Sequence, residues 1–317
     1  MGEHMKVVQG IELFRQIYSG DVYVALGNFD GVHLGHRRIL ASTVNAAVTA
    51  GSKSAVLIFT PHPLSLLSPH RAPQLLQSVE ERIEMLGNAD IDYVIVHPFT
   101  RAFASVVPEL FAVEILHGKL AISGVVVGYD YSFGRQGSGT PHDLRQLGER
   151  LGFSVDVISP VAVDGVPVGS SLIRSYLTEG RVEAAAVMLG YPFTLSGTVV
   201  HGDGRGRQLG FPTANIQTPC DIIRPGNGVY LSKAVLKSGT EFWALTNVGK
   251  RPTFCKTESS VEVYLIDATK NLYGEELRVV FLQKIREEKA FNSAMELTEQ
   301  IKQDVRLARD LIPLRST

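Results

Sequence analysis

The chain has 317 residues, of which 44% are hydrophobic and 20% charged, and its formal net charge at pH 7 is −1. These values are typical of a globular protein with about two domains, and so small a net charge argues against a general attraction to nucleic acid or membranes. We expect a cytoplasmic protein, because no apolar run approaches the roughly 18 residues of a membrane span, no signal-peptide pattern opens the chain, and two cysteines cannot form a disulfide framework or a four-cysteine zinc site.

The first half of the chain alternates strand-like and helix-like segments. Apolar runs, typical of strands in a buried parallel sheet, occur at 22–26, 55–59, 93–96 and 125–127, and the segment 155–158 predicts a further strand. Between them, helical spacing and capping signals predict helices over about 37–50, 78–86, 108–116 and 140–152. This alternation predicts a parallel sheet with right-handed crossovers.

A strand-to-helix turn that carries two histidines follows the first apolar run. Its candidate phosphate-binding residues are Gly27, Asn28, Phe29, Asp30 and Gly31. Backbone N–H groups and the helix dipole at such a turn favour bound phosphate. His33 and His36 are three residues apart, so both imidazoles can lie on one face of the first helical turn and donate to phosphate oxygens. The alternative is a glycine-rich turn with two surface histidines.

Three further segments of the first half carry candidate binding residues. They are Phe59 and His62, then Asp130 and Phe133, and finally Ser170, Ser171 and Arg174. The first two pairs lie at or just after the ends of predicted strands, at the edge where open α/β sheets bind their ligands. Serines at a helix N-terminus with an arginine one turn later can hold a phosphate. Taken alone, these patterns fit equally well a loop histidine between prolines, a glycine-rich loop and an ordinary cap beside a solvated arginine.

From Phe193 onwards the pattern changes to short strand-like runs between turn signals. The runs lie at 193–199, 229–231, 242–245, 261–265 and 277–281. Because no helical pattern intervenes, they predict an antiparallel barrel. A helical stripe between 297 and 312 would pack on this barrel. We place the boundary near residue 186, which gives domains of 1–186 and 187–317.

A glycine-rich segment precedes the second barrel strand. It is neither a dinucleotide fingerprint nor a P-loop, because no helix follows it and no Gly-Lys-Ser/Thr sequence stands at the required spacing. Two interpretations of the segment stay open, a flap over nucleotide phosphates and an ordinary hairpin loop. The candidate residues of the flap are Gly202, Gly206, Arg207, Gly210 and Pro212. Thr213 and Asn215 then offer oxygen ligands on one side of an extended segment, a type that Mg²⁺ accepts.

The string from 26 to 36 resembles the G-x-F-D-G-x-H-x-G-H signature of bacterial FAD synthetases, within the wider HxGH nucleotidylyltransferase superfamily. Class I aminoacyl-tRNA synthetases carry a similar histidine pair, but they also need a lysine-rich loop that this sequence lacks. The segments at 59–62, 128–134 and 169–174 are also similar to FAD synthetase motifs, with departures at Thr60, Tyr131, Gly169 and Ser171. The resemblance implies a Rossmann-like nucleotidylyltransferase domain. Within it, ATP would bind at 27–31 and at Ser170, Ser171 and Arg174, and flavin at Phe59, His62, Asp130 and Phe133.

Residues 197–215 resemble the riboflavin kinase pattern G-x-V-x-x-G-x-x-x-G-R-x-x-G-x-P-T-A-N, and 246–254 and 261–262 are similar to later parts of that family. This resemblance implies that Glu262 is the general base, that Thr213 and Asn215 hold magnesium, and that the glycine-rich flap covers ATP phosphates. Tyr264 stands where the family often has histidine. The implied flavin-binding residues are Asn247, Arg251, Arg286 and Phe291.

Together the resemblances cover roughly residues 20–310 and imply a bifunctional enzyme of flavin biosynthesis. The barrel would phosphorylate riboflavin to FMN, and the α/β domain would adenylylate FMN to FAD with release of pyrophosphate. The implied substrates are riboflavin, FMN and ATP, with Mg²⁺ as cofactor and with neither nucleic acid nor a membrane as partner; the oligomeric state stays open. The alternatives are a monofunctional FMN adenylyltransferase and a flavin-binding regulator with an inactive barrel.

Overall fold

The computed structural model describes residues 5–202, 204–250, 259–268 and 270–312. The chain forms two compact units, Met1–Gly169 and Ser170–Thr317. None of the described helices combines the length and the apolar character that crossing a membrane requires.

The first unit is built on a parallel sheet, as the alternating pattern predicts. Its strands are β1 (Lys6–Gln9), β2 (Val22–Leu26), β3 (Lys53–Thr60), β4 (Tyr93–Pro98), β5 (Gly124–Gly128) and β6 (Ser154–Ile158). They lie in the order β1-β4-β3-β2-β5-β6, and every neighbouring pair is parallel. The sequence prediction missed β1, which is short and exposed at three of its four positions.

Helices cover both faces of this sheet. Alternate residues of the buried strands belong to two separate apolar cores, one on each face. The helices are α1 (Ile11–Ile17), α2 (Leu34–Thr49), α3 (Pro63–Leu67), α4 (Val79–Gly87), α5 (Arg101–Ala104), α6 (Pro108–Leu110) and α7 (Pro141–Leu151). After α6 the chain continues as a π-helix over Phe111–Lys119, where the sequence predicted an ordinary α-helix. A hairpin of β7 (Ala162–Val163) and β8 (Val166–Pro167) ends the unit.

The strand order reverses between β2 and β5. From β2 the chain adds β3 and β4 on one side, and it then returns to add β5 and β6 on the other side. In open α/β sheets, ligands bind outside the carboxyl ends of the strands at such a switch point. The segments that follow β2 and β5 are the histidine-bearing turn and the loop that contains Asp130.

The second unit opens with α8 (Ser170–Thr178) and α9 (Val182–Leu189), followed by a closed antiparallel barrel. The barrel confirms the prediction for the second half of the chain. Its strands are β9 (Thr194–Val200), β10 (Thr213–Gln217), β11 (Gly228–Leu236), β12 (Glu241–Lys250), β13 (Ser259–Leu265) and β14 (Glu276–Arg286). The proposed boundary at residue 186 falls inside α9, whose Glu183 carboxylate accepts a hydrogen bond from the Lys284 N–H at 3.3 Å.

Two helices complete the second unit: the short α10 (Arg205–Gln208) and the terminal α11 (Ala294–Leu311). Val305 and Ala308 of α11 pack against Val229, Leu231 and Leu245. A helix can contact only the outside of a barrel this small, so alternate residues of β11 and β12 face outwards under α11. Residues of the opposite parity fill the interior, where the hydroxyls of Ser232 and Thr246 lie 2.7 Å apart.

Candidate active sites

The turn after β2 has an unusual backbone. Phe29, Gly31 and Val32 have φ angles of 49°, 86° and 33°. Positive φ is ordinary for glycine but is strained for a β-branched residue such as Val32. Phe29 and Val32 are both buried in the core, and this packing holds the turn in place. Strain of this kind is characteristic of functional segments whose geometry the surrounding structure fixes.

His33 is the N-cap of α2, and its Nδ1 accepts a hydrogen bond from the His36 backbone N–H at 3.2 Å. A neutral imidazole that accepts at Nδ1 carries its proton on Nε2, so His33 can donate from that atom. The two imidazole rings are stacked, with centroids 3.6 Å apart and planes 15° apart. No acidic residue lies in the first turn of α2, so its helix dipole is unopposed there and favours an anion.

Asp30 lies inside the protein and is 2% exposed. Its carboxylate accepts a hydrogen bond from the Leu76 N–H at 2.9 Å and lies 3.7 Å from the guanidinium of the equally buried Arg82. Arg82 also donates to the carbonyl oxygen of Asn28 at 3.0 Å. The structure therefore places Asp30 as a support beneath the turn. The sequence analysis missed Arg82, because an arginine within an amphipathic helix is usually solvated.

We expect replacement of Arg82 by methionine to destabilise the first unit by about 1 to 3 kcal/mol, since it removes a donor from Asn28 and leaves Asp30 buried with a weaker set of partners. Urea unfolding followed by circular dichroism measures this change. Arg101→Met, at an exposed position, is the matched control. Equal unfolding midpoints for the two variants would contradict a supporting role for Arg82.

His62 lies in the segment after β3 and contacts the segment after β2. It is the N-cap of α3, and its Nδ1 accepts a hydrogen bond from the Leu64 N–H at 3.2 Å. Its Nε2 lies 3.3 Å from the side-chain amide of Asn28. Because Nδ1 is an acceptor, the neutral ring has its proton on Nε2. It can donate this proton to Asn28 when the side-chain amide is oriented with its oxygen towards the ring. Asn28, which the sequence analysis assigned to ATP, and His62, which it assigned to flavin, are thus neighbours.

An aromatic cluster extends along the carboxyl edge of the sheet from β3 towards the loop after β5. Successive ring centroids lie 5.0 to 6.4 Å apart in pairs drawn from Phe59, His97, Phe99, Phe103, Phe111, Tyr131 and Phe133. Burial lowers the pKa of His97, which favours a neutral ring. The sequence analysis singled out only Phe59 and Phe133. Phe99 comes directly after β4, and that position at a strand end is the signal that could have identified it.

The remaining candidates of the nucleotide motifs lie apart in the chain. Asp130 is exposed in the loop after β5. Ser170, Ser171 and Arg174 lie in the first turns of α8, which belongs by its contacts to the second compact unit. Their role in holding a triphosphate stays a prediction.

In the barrel, strand register assembles the second candidate site. Asn215 pairs directly with Glu262, which pairs with Asn247. Asn247 pairs with Val229, and Val229 pairs with Arg286. Directly opposed residues of neighbouring strands share a face, so these side chains form one row across five strands. Because Val229 faces α11, the row lies on the outer surface of the barrel.

The metal-ligand candidates and the candidate base meet at one end of this row. The Thr213 hydroxyl donates to Glu262 Oε2 at 3.4 Å. The glycine-rich segment closes on the same residues: a Cβ atom built on Gly202 would lie 2.2 Å from Asn215 Nδ2, and one on Gly206 would lie 3.2 Å from Thr213 Oγ1. Any larger residue at Gly202 would therefore displace Asn215. Hydroxyl and amide oxygens fit the preference of Mg²⁺ for hard oxygen ligands.

The other flap candidates surround this end of the row. Arg207, Gly210 and Pro212 are exposed, and Pro212 stands immediately before Thr213. The glycine-rich segment contains the four-residue helix α10, where the sequence analysis predicted no helix.

Arg286, at the other end of the row, is largely occupied by protein partners. Its Nε lies 3.0 Å from both carboxylate oxygens of Asp304, and a terminal nitrogen donates to Asp304 at 2.8 Å. Asp304 is a buried residue of α11. The Arg286 guanidinium also lies 5.8 Å from the centroid of the Phe291 ring. Arg251, the remaining flavin candidate, lies outside the described residues.

Comparison with known proteins assigns a family to each half of the chain. The family model for FAD synthetase matches residues 16–172, and that for riboflavin kinase matches residues 189–312. A bifunctional riboflavin kinase/FMN adenylyltransferase from Escherichia coli is 34% identical over 310 residues, which cover 98% of this chain and 99% of that protein. The protein of the same name from Listeria monocytogenes is 37% identical over 283 residues, 89% of each chain.

A solved structure has the same overall fold. A crystal structure described as a macrolide-efflux protein from Streptococcus pneumoniae superposes with a TM-score of 0.86 at 28% identity, covering 96% of this chain and 98% of that one. The matches to both family models, in the predicted order, and to full-length relatives agree with the two motif sets described above. The chain therefore belongs to the family of bifunctional riboflavin kinase/FMN adenylyltransferases.

Proposed function

We propose that the barrel phosphorylates riboflavin to FMN and that the parallel-sheet unit adenylylates FMN to FAD, each step consuming one ATP. The observation that carries the proposal is the row from Asn215 to Arg286, because the register places the predicted base beside both predicted metal ligands. The stacked histidines at the switch point supply the corresponding site for the second step.

In the kinase step, the terminal ribityl hydroxyl attacks the γ-phosphorus of ATP, a P–O bond forms, and ADP leaves. Glu262 accepts the hydroxyl proton, and the Thr213 hydroxyl orients its carboxylate. Thr213 and Asn215 would also hold Mg²⁺, which, when bound, offsets the negative charge of the phosphates. Phosphoryl transfer depends mainly on positioning and charge neutralisation, which is what a fixed outer row beneath a glycine-rich flap can provide.

In the adenylylation step, a phosphate oxygen of FMN attacks the α-phosphorus of ATP, and pyrophosphate leaves. The FMN phosphate is already ionised, so the site needs no strong base. His33 donates from Nε2, and together with His36 and the N-terminus of α2 it stabilises the charge that develops on the transferred and departing phosphates. The edge of the aromatic cluster beside Phe59 suits the flat flavin ring.

One incubation tests the whole proposal. The purified protein receives riboflavin, ATP and Mg²⁺, and the flavins are separated by chromatography over time. We expect FMN to appear first and FAD to follow. Conversion of supplied FMN to FAD without phosphorylation of riboflavin would indicate a monofunctional adenylyltransferase, and binding without any turnover would indicate a regulator.

We expect Arg174→Ala to raise the KM for ATP in FAD formation and to leave that of FMN formation unchanged, because a guanidinium beside the N-terminus of α8 is placed to pair with a phosphate. ATP titrations of each step measure the effect. Arg181→Ala, at an exposed position near α9, is the control. Identical titrations for the Arg174 variant and the wild type would show that Arg174 has no part in binding ATP.

A further inference from the structure

The loop that follows β14 is held against the row. A terminal nitrogen of Arg286 donates to the carbonyl oxygen of Glu287 at 3.0 Å, while the same guanidinium also donates to the carboxylate of Asp304 in α11. Gln300, one turn earlier on α11, donates to the same carboxylate at 3.0 Å. The peptide that precedes Glu288 is therefore fixed by a side chain that is itself anchored to a helix.

The Glu288 side chain lies against the outer face of the barrel. Its Oε2 accepts a hydrogen bond from Asn227 Nδ2 at 2.9 Å. A Cβ atom built on Gly249 would lie 2.4 Å from Glu288 Oε1 and 3.3 Å from Asn247 Nδ2. The Glu288 carboxylate thus occupies space that a side chain at Gly249 would need, next to Asn247.

The position of Gly249 relates Glu288 to the candidate base. Gly249 is two residues after Asn247 on the same strand, so both lie on the same face, which is also that of Glu262. Two residues along a strand correspond to about 7 Å. The outer face therefore presents a second carboxylate, displaced along the strand from the one assigned to proton transfer.

We propose that Glu288 is a specificity-determining residue of the kinase step, which accepts a hydrogen bond from a ribityl hydroxyl other than the one that is phosphorylated. This proposal rests on the proposed kinase activity. An ionised carboxylate is an acceptor only, and a polyol chain whose terminal hydroxyl is at Glu262 offers further O–H donors a few ångströms away. Asn227 holds one oxygen, and the second lies beside Gly249, on the face of the barrel that also carries Asn247.

The test pairs enzyme variants with substrate analogues. Riboflavin and its 2′-, 3′- and 4′-deoxy analogues, each of which keeps the reacting hydroxyl, are phosphorylated by the wild type and by Glu288→Ala. We expect kcat/KM of the wild type to fall about 10- to 100-fold for one of the analogues, because that analogue leaves the carboxylate without its donor. In Glu288→Ala the same analogue and riboflavin should react at similar, reduced kcat/KM, while the KM for ATP stays unchanged.

Glu287→Gln is the matched control, since Glu287 is adjacent, exposed and paired with Lys284. It should discriminate among the analogues as the wild type does. Glu288→Gln gives a second variant of nearly the same size if the alanine variant folds poorly, and conversion of supplied FMN to FAD checks that the remainder of the protein is intact. Undiminished discrimination in the Glu288 variants, or no discrimination in the wild type, would overturn the proposal. Absence of any riboflavin phosphorylation by the wild type would instead refute the kinase function itself.

Discussion

Replacement of Glu262 by glutamine is expected to slow FMN formation by about 100- to 10,000-fold, the range of general-base contributions. Glutamine keeps the shape of the side chain and can still accept the hydrogen bond from the Thr213 hydroxyl, but it cannot take the ribityl proton. The loss should therefore appear in kcat, with KM values for ATP and riboflavin close to those of the wild type. Adenylylation of supplied FMN should continue, because His33 and His36 belong to the other compact unit.

The measurement supplies the same variant with riboflavin in one reaction and with FMN in another. Glu276→Gln is the control, because Glu276 is an exposed glutamate at the start of β14. Failure of both reactions would point to damaged folding, which thermal unfolding would detect independently. Phosphorylation of riboflavin at the wild-type rate would show that Glu262 is an ordinary strand residue.

The barrel site shows how much of such a site a sequence can indicate. Thr213, Asn215 and Glu262 were selected from short strings, and the pairing register of β10 with β13 brings these strings together. The alternation of side chains along a strand predicts which residues share a face within that strand. It does not predict which strands are neighbours, so the full row from Asn215 to Arg286 needed the structure.

Residues that act through another group were harder to predict. Asp30 and Arg286 belong to binding motifs, yet the structure gives them ion pairs with buried partners, Arg82 and Asp304. Each partner lies in a later helix, where its charge resembles that of any solvated residue. A local pattern shows the presence of a charged group, whereas its partner depends on tertiary packing. The same reason explains why Glu288, which follows β14 in an exposed segment, gave no signal.

The fold of the first unit was predictable to the extent that burial leaves a pattern. Continuous apolar runs identified β2 to β5, since both faces of those strands are covered. The edge strand β1 is largely exposed and lacks that pattern. The strand order, and with it the switch point between β2 and β5, depends on which crossover goes to which side. No local sequence signal records that choice.

At this switch point, His36→Ala is expected to reduce adenylylation of FMN by about 100- to 1,000-fold, the usual cost of losing one preorganised donor to developing charge. The substitution leaves the cap of α2 intact, because the backbone N–H of residue 36, and not its side chain, donates to His33 Nδ1. It removes the ring that stacks on His33 at 3.6 Å and contacts Phe29. A loss of activity would therefore report on the imidazole itself.

Two comparisons separate this effect from a change in folding. His117→Ala, at an exposed position on the π-helix, should form FAD at the wild-type rate. His33→Asn keeps an N-cap acceptor but removes the Nε2 donor, so it should lose FAD formation without losing the stability that the cap provides. Phosphorylation of riboflavin by all three variants should match the wild type, since the row of the barrel is untouched. If His36→Ala produces FAD from FMN and ATP at the wild-type rate, the stacked pair has no part in the transfer, and the charge on the phosphates is balanced by the helix N-terminus alone.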